Sequence, residues 1–499
     1  MLGPPELGWL VVAPVFGAVL AFLLRGRSWP LVVLFGSVTA ATVGGLVPSI
    51  ADLLRFGPLH YRVSGWGAPL GIELALDGLS AAFLLTTLVV VATATVYALG
   101  SLRPAANAPA TPSAPISEGP QAGTFWPLWL LLWAGLNALF LSADLFNIYV
   151  ALELVGLAGV ALVATAGGLS ALRAAIRYFF ANGAASMVFL TGVALVYHAH
   201  GTLDLALLAT RVAPGPTLST ALALMSAGLM LKAALFPLHP WLPTAHAVAP
   251  APVSALLSAL VVKAPVYLLL RLWLDSFRPL AGDPAFTLLG TLGALGMIWG
   301  SSQAIRSERL KTLVAYSTVA QVGLLLAAFP IVASAGTWIG IVFLAVGHAL
   351  AKAAMFLASG GIAAAYGHDR IREMTGFGVR QPLCMYAFGI AGMSLVGIPG
   401  TAGFVGKWLL TTAGLSGPAA PWVAVVALST LFTAGYVWRV LAVAVRSAPT
   451  PSGDLAVARL QSWPALLLAL LTILLGVAPN LLGEIASVGI PSGPGGTMP

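Results

Sequence analysis

Apolar runs of about twenty residues recur from one end of this 499-residue chain to the other. Each matches the roughly 30 Å of hydrocarbon that a helix rising 1.5 Å per residue must cross. By approximate boundaries there are fourteen, at 8–24, 30–50, 78–100, 125–142, 145–168, 173–197, 218–249, 252–274, 285–304, 309–330, 337–363, 384–413, 421–446 and 462–483. Composition agrees: with 59% hydrophobic and 8% charged residues, too little polar surface is left to cover a soluble globule. The chain reads as an all-α polytopic membrane protein embedded in the lipid bilayer.

The formal charge of +8 comes from bases scattered between the runs, with no patch or stripe, which argues against a nucleic-acid partner. Cys384 is the only cysteine, so internal disulfides, cysteine-held iron–sulfur clusters and CxxCH haem attachment are excluded. Neither a cofactor nor a metal is called for. The N-terminal run has Glu6 before it and Arg25 and Arg27 after it, the reverse of a secretory signal. Assigned to alternate connections, fourteen bases follow odd-numbered runs, Lys311 among them, and five follow even-numbered runs (Arg55, Arg62, Arg211, Arg271 and Arg278). Basic connections stay cytoplasmic, which predicts both termini outside the plasma membrane and an even number of crossings.

Two connections stand out. Residues 103–123, rich in Pro, Ala and Ser, read as a flexible cytoplasmic linker, and Leu59–Gly78 alternates apolar and polar residues around a Gly/Pro turn, as a short hairpin does. The organisation predicted is therefore an N-terminal part (1–124), two central blocks (125–274 and 285–446) and a final crossing with a Gly/Pro-rich tail (447–499).

Nineteen of the 23 Lys and Arg fall in connections or toward the ends of runs and are assigned to the adjoining connection, and the remaining four, inside runs, are all lysines: Lys232, Lys263, Lys352 and Lys407. A lone lysine can snorkel to the interface. Four mid-helix charges together cost on the order of 10 kcal/mol on insertion scales, which points to a use. Arginine would cost as much and pair better, but guanidinium keeps its proton, whereas a desolvated ammonium can release one. Titratable lysines in a row suit a proton path. Glu153 is the only carboxylate well inside a run, with Asp77 and Asp144 near run starts, so it is the candidate counter-ion whose approach and withdrawal would switch a lysine. His239, His246 and His348 also lie at membrane depth; His348 and Lys352, four apart, share a helix face and can exchange a proton.

Two runs are broken. Pro237 follows Lys232 in "LMLKAALFPLHPWLP", and Gly397, Pro399 and Gly400 precede Lys407 in "LVGIPGTAGFVGKWLL". Unwound backbone survives in a bilayer only where protein or water satisfies it, so each break places lysine and water together. The breaks fall in the seventh and twelfth runs, five apart, an offset that inverts one half relative to the other.

At these residues the chain resembles the antiporter-like subunits shared by Mrp-type cation/proton antiporters and respiratory complex I. The likeness rests on "ADLFNIYVALEL", "KAALFPLHPWLPTAHAVAPAPVSALLSALVVK", "RLKTLVAYSTVAQVG", "GHALAKAAMFL" and "GIPGTAGFVGKWLL". It implies fourteen core helices, two inverted five-helix repeats (helices 4–8 and 9–13) with broken helices 7 and 12, and a central hydrophilic axis. It also implies roles: Glu153 and Lys232 as the modulating ion pair, Lys263 as the central residue, Lys352 after His348, and Lys407 as the terminal residue. "DLFN" and "VAPAPVSALL" look most like the D-type member of Mrp antiporters, and Lys407 fits that type or the N-type of complex I better than the M-type. "ALELVGLAGVAL" reads more like the N-type. The function implied is H+ translocation, with Na+ as the exchanged ion, inside an assembly of other membrane subunits; a proton-pumping component of a complex I-type oxidoreductase or a membrane-bound hydrogenase is the alternative.

Overall fold

The computed structural model describes residues 4–24, 28–69, 71–101, 122–280, 282–331, 335–415, 419–446 and 459–490. Among them, twelve helices are long and apolar enough to cross a membrane: Glu6–Leu24, Pro30–Phe56, Gly78–Ser101, Gly123–Leu141, Leu145–Ala164, Gly168–His200, Ala251–Ser276, Asp283–Arg306, Leu310–Ile331, Gly336–Tyr366, Ala420–Ala444 and Leu460–Val477. Two further crossings are each assembled from two shorter helices, Pro216–Lys232 with Trp241–Val248, and Pro382–Val396 with Ala402–Leu415. Counting each pair as one interrupted span gives fourteen, numbered below in chain order. Most of the predicted linker (103–121), Arg25, Arg27 and the end of the tail lie outside the described residues.

Helices that are apolar on every side belong inside a bundle, and the eighth and eleventh spans obey this, burying their whole apolar windows. These two carry Lys263 and Lys352. Small residues allow the close approach this requires: a methyl added to Gly406 of the twelfth span would sit 2.8 Å from the Gly340 carbonyl oxygen of the eleventh. The first, second and thirteenth spans lie at the periphery and turn large apolar side chains such as Phe16, Leu23, Leu431 and Trp438 outward.

The alternation in 59–78 folds as an antiparallel pair, β1 (Leu59–Arg62) against β2 (Glu73–Leu76), with Arg62 opposite Glu73. Leu74 bridges to Ser142, and Asp144 to Asp204, so the hairpin lies on the same face as the connections after the fourth and sixth spans. A last helix, Asn480–Ser487, closes onto this face through the Gly78 amide, which donates to the Val488 carbonyl (2.9 Å).

Two bases counted as belonging to connections do not lie in solvent. Arg271 is inside the eighth span, with its side chain 14% exposed, and its guanidinium grips the Asp77 carboxylate. Lys311, at the start of the tenth span, donates its ammonium to the Ala249 carbonyl (2.6 Å) at the junction of the seventh and eighth spans. The local sequence gives no sign of either burial, because the partners lie 194 and 62 residues away.

Candidate functional site

The first half of the seventh span ends at Lys232 in a Schellman closure: the Leu235 amide donates to the Met230 carbonyl (3.0 Å) and the Ala234 amide to that of Leu231 (3.2 Å). Ala234 holds the left-handed residue of this motif at φ 54°. Pro237 and Pro240 keep the chain from rejoining the helix before Trp241, whose indole N–H caps the exposed Leu231 carbonyl at 2.9 Å. Lys232 is thereby delivered to two partners, Glu153 Oε1 at 3.0 Å and Asn182 Oδ1 at 2.7 Å, while the Ser186 hydroxyl donates to the same carboxylate oxygen. Gly156 makes room for this: a methyl there would overlap Asn182 Oδ1. A cavity just large enough for a water molecule opens beside Lys232 and extends to Val261 and Pro265 of the eighth span.

Lys263 follows a π-helical turn, Leu257–Val261, that the sequence pattern did not predict. Pro265 has no N–H and its ring crowds the carbonyl four residues back, so the helix widens there and exposes backbone oxygens. The Lys263 ammonium takes one of them, the Ser258 carbonyl. Lys352 reaches across to the tenth span, donating to the Val314 carbonyl (3.1 Å) and to the Ser317 hydroxyl, rather than along its own helix to His348. His246 and His348 are buried with neither ring nitrogen hydrogen-bonded, and each lies within range of the charges of both Lys263 and Lys352. His246 also stacks on Phe356 (4.5 Å). His239 is held elsewhere: its Nε2 accepts from the Trp299 indole (3.2 Å), and its other neighbours are the rings of Phe236 and Tyr316.

At the second break the first half-helix ends with the same closure, Ile398 amide to Met393 carbonyl and Gly397 amide to Ser394 carbonyl, both at 3.1 Å. Gly397 takes the left-handed position at φ 91°, and a methyl there would lie 2.9 Å from Lys407 Cδ. Pro399 and Gly400 complete the turn, against which Gly476 of the last span packs. Lys407 Nζ donates to the freed Val396 carbonyl and to the Thr430 hydroxyl, each at 3.0 Å.

Between Lys352 and Lys407 lie hydroxyls that sequence reasoning missed. Thr433 Oγ1 accepts from Gln321 Nε2 (3.1 Å) and from the Tyr436 hydroxyl (3.3 Å), and Thr433 sits one helical turn from Thr430. Tyr436 in turn contacts Ser317, the partner of Lys352. Nothing local marks these residues, since serine and threonine in apolar helices ordinarily bond their own backbone, as Thr86 and Thr87 do here.

Among the described residues, Lys232 is thus the one of these four lysines with a carboxylate partner. The others rest on carbonyls and hydroxyls, and an ammonium and a neutral amine can both donate to these, so the contacts survive loss of the proton.

A family profile described as "NADH:quinone oxidoreductase/Mrp antiporter, TM" matches residues 142–433, a stretch that includes Glu153, all four lysines and both breaks. The chain belongs to this family. It is 36% identical over 439 residues to the N subunit of the NADH-quinone oxidoreductase of Desulforudis audaxviator, covering 87% of this chain and 85% of that one. It is also 28% identical over 479 residues to the D subunit of the Na(+)/H(+) antiporter of Bacillus subtilis, covering 94% and 92%. Among solved structures, a chain of the Mrp complex from Dietzia sp. DQ12-45-1b shares the fold, with TM-score 0.86 at 24% identity over 97% of this chain and 96% of that one.

Proposed function

We propose that this chain translocates protons within a larger membrane assembly of the Mrp antiporter type, exchanging H+ against Na+. The observation that carries the reading is the Lys232–Glu153 pair at a broken span, followed by amines whose partners tolerate either protonation state. Protons are taken up near Glu153 and Lys232, pass laterally by Lys263, His246, His348 and Lys352, and leave near Lys407. Release at each step follows from the approach or withdrawal of a neighbouring charge and from water reaching the breaks. The two breaks share one hydrogen-bonded closure five spans apart, which supports treating 125–274 and 285–446 as inverted repeats. The bias of basic residues supports a plasma-membrane orientation with both termini outside. Partner subunits are expected along peripheral helices such as the sixth span, where Phe180 and Met187 face outward.

The 36% identity to the N-type relative favours a second reading, in which the same path serves a quinone-linked pump. Inverted vesicles holding the assembled complex separate the two. On the antiporter reading, Na+ dissipates an imposed proton gradient, and Glu153→Ala or Lys407→Ala abolishes the effect; unchanged exchange in both variants would remove the proposed path. Acidification driven by NADH and quinone, indifferent to Na+, would select the second reading.

A further inference from the structure

Every cation along the axis is a lysine, yet the same eighth span that carries Lys263 ends in a buried arginine. Arg271 lies eight residues beyond Lys263, about 12 Å along the helix toward the face that bears the hairpin. Its guanidinium holds Asp77 in a two-pronged ion pair, with Nη2 to Oδ1 at 2.6 Å, and its Nε donates to the Tyr267 hydroxyl at 3.1 Å. Tyr267 lies midway between Lys263 and Arg271, and its one hydroxyl proton is committed to the Phe140 carbonyl at 2.9 Å. The Phe83 and Phe140 rings pack on that of Tyr267, with centroids 5.3 and 5.0 Å away.

Asp77 is equally fixed. It caps the third span reciprocally, the Ser80 amide donating to Oδ1 at 3.0 Å and the Asp77 amide donating to the Ser80 hydroxyl at 2.8 Å. Burial pushes its carboxyl up, but the Arg271 charge and the bonds from Arg271 and Ser80 prevail and hold it below the usual carboxylate range. The last helix lies over the pair: a methyl on Gly78 would collide with the Ile485 carbonyl oxygen, and one on Gly489 would come within 3.1 Å of Asp77 Cβ.

Resting on the proton-path reading above, we propose that Arg271, Asp77 and Tyr267 form a seal that closes the axis toward the hairpin face, so that a proton on Lys263 leaves only sideways. A carrier must both take and give up a proton. Guanidinium keeps its own, the paired carboxylate stays ionised, and the tyrosine hydroxyl is tied to a backbone oxygen, so none of the three relays; Asp275, within range of the Arg271 and Asp77 charges, follows one turn further along the helix, beyond them. The Phe83 and Phe140 rings occupy the space beside the Tyr267 ring. Lysine on the path and arginine at its wall is then one chemical rule applied twice. Arg271 and Asp77 determine coupling, since a leak here would discharge the gradient without moving the second ion.

The test is passive proton leak through the assembled complex in vesicles under an imposed pH gradient, with the membrane potential clamped and no exchangeable cation. Arg271→Lys, the mildest change for a structural role, puts a titratable group into the plug and frees one carboxylate oxygen; leak is expected to rise about tenfold or more. Joining it to Lys263→Met is expected to return leak to the wild-type level, because the route runs through the axis. The paired change Asp77→Leu with Arg271→Met removes both charges, keeps the plug dry and is expected to stay tight, which guards against a single variant that fails to assemble. A tight Arg271→Lys complex, a leak that persists with Lys263→Met, or a leaking apolar pair would each overturn the seal. Exchange by Lys232→Met, measured in the same vesicles, tests the underlying path separately, so the two ideas fail by different readouts.

Discussion

The ion pair at the first break makes a quantitative prediction through a double-mutant cycle of Glu153→Gln and Lys232→Met. At the observed 3.0 Å and an effective dielectric of about 20, the charges attract by about 5–6 kcal/mol, a gross value that desolvation offsets. Glu153 is a quarter exposed and Lys232 only 6%, so removal of the acid strands the better-buried charge. With the acid replaced by an amide, Lys232 keeps Asn182 but has no counter-ion, and Glu153→Gln alone should lose about 3 kcal/mol. Lys232→Met fills the same space and strands the part-exposed carboxylate, which keeps its Ser186 donor, at about 2 kcal/mol. The double variant has no charge left to strand, so it should lie well above the sum of the singles, with a coupling of about 2–3 kcal/mol. Reversible unfolding in mixed micelles by SDS titration reads these values. Strict additivity would mean that the pair is not an energetic unit, and the switch proposed for it would fail with that result.

Three other consequences can be checked directly. Lys352→Arg keeps the charge but cannot release its proton, so exchange should fall by about two orders of magnitude while the complex still assembles, as judged by co-purification of its subunits. His246→Phe retains the stack on Phe356 and loses no hydrogen bond, so its stability to unfolding should hold within about 1 kcal/mol while proton flux drops; unchanged flux would remove His246 from the path. Gly397→Ala places a methyl on a left-handed residue and 2.9 Å from Lys407 Cδ, and should cost about 1–2 kcal/mol and slow exchange, whereas Ala234→Gly at the matching position of the other break should be tolerated or mildly stabilising in the same unfolding assay.

The sequence by itself determined the number of crossings, the two breaks and the depth of Lys232, Lys263, Lys352 and Lys407. The reason is local: in hydrocarbon each crossing must satisfy its own backbone, so length, apolarity and interruptions such as Pro237 or Gly397 are written within a single segment. An amine in such a segment is likewise conspicuous without knowledge of its neighbours.

What surrounds the amines was decided only when distant segments met. Asn182 could be assigned to Lys232 only once Gly156 had let the sixth span close on the fifth. The hydroxyls of Ser317, Thr430 and Thr433 look no different in sequence from Thr86 or Thr87, which serve only their own helices. The widened turn before Lys263 had one local sign, Pro265, but the carbonyl it frees is chosen by the fold. Arg271 shows the limit most clearly: near the end of an apolar run it reads as a solvated base, and only the arrival of Asp77 from 194 residues away makes its burial affordable. Hydrogen-bond partners and counter-ions are properties of pairs, and a pair separated by so much chain is fixed by tertiary packing.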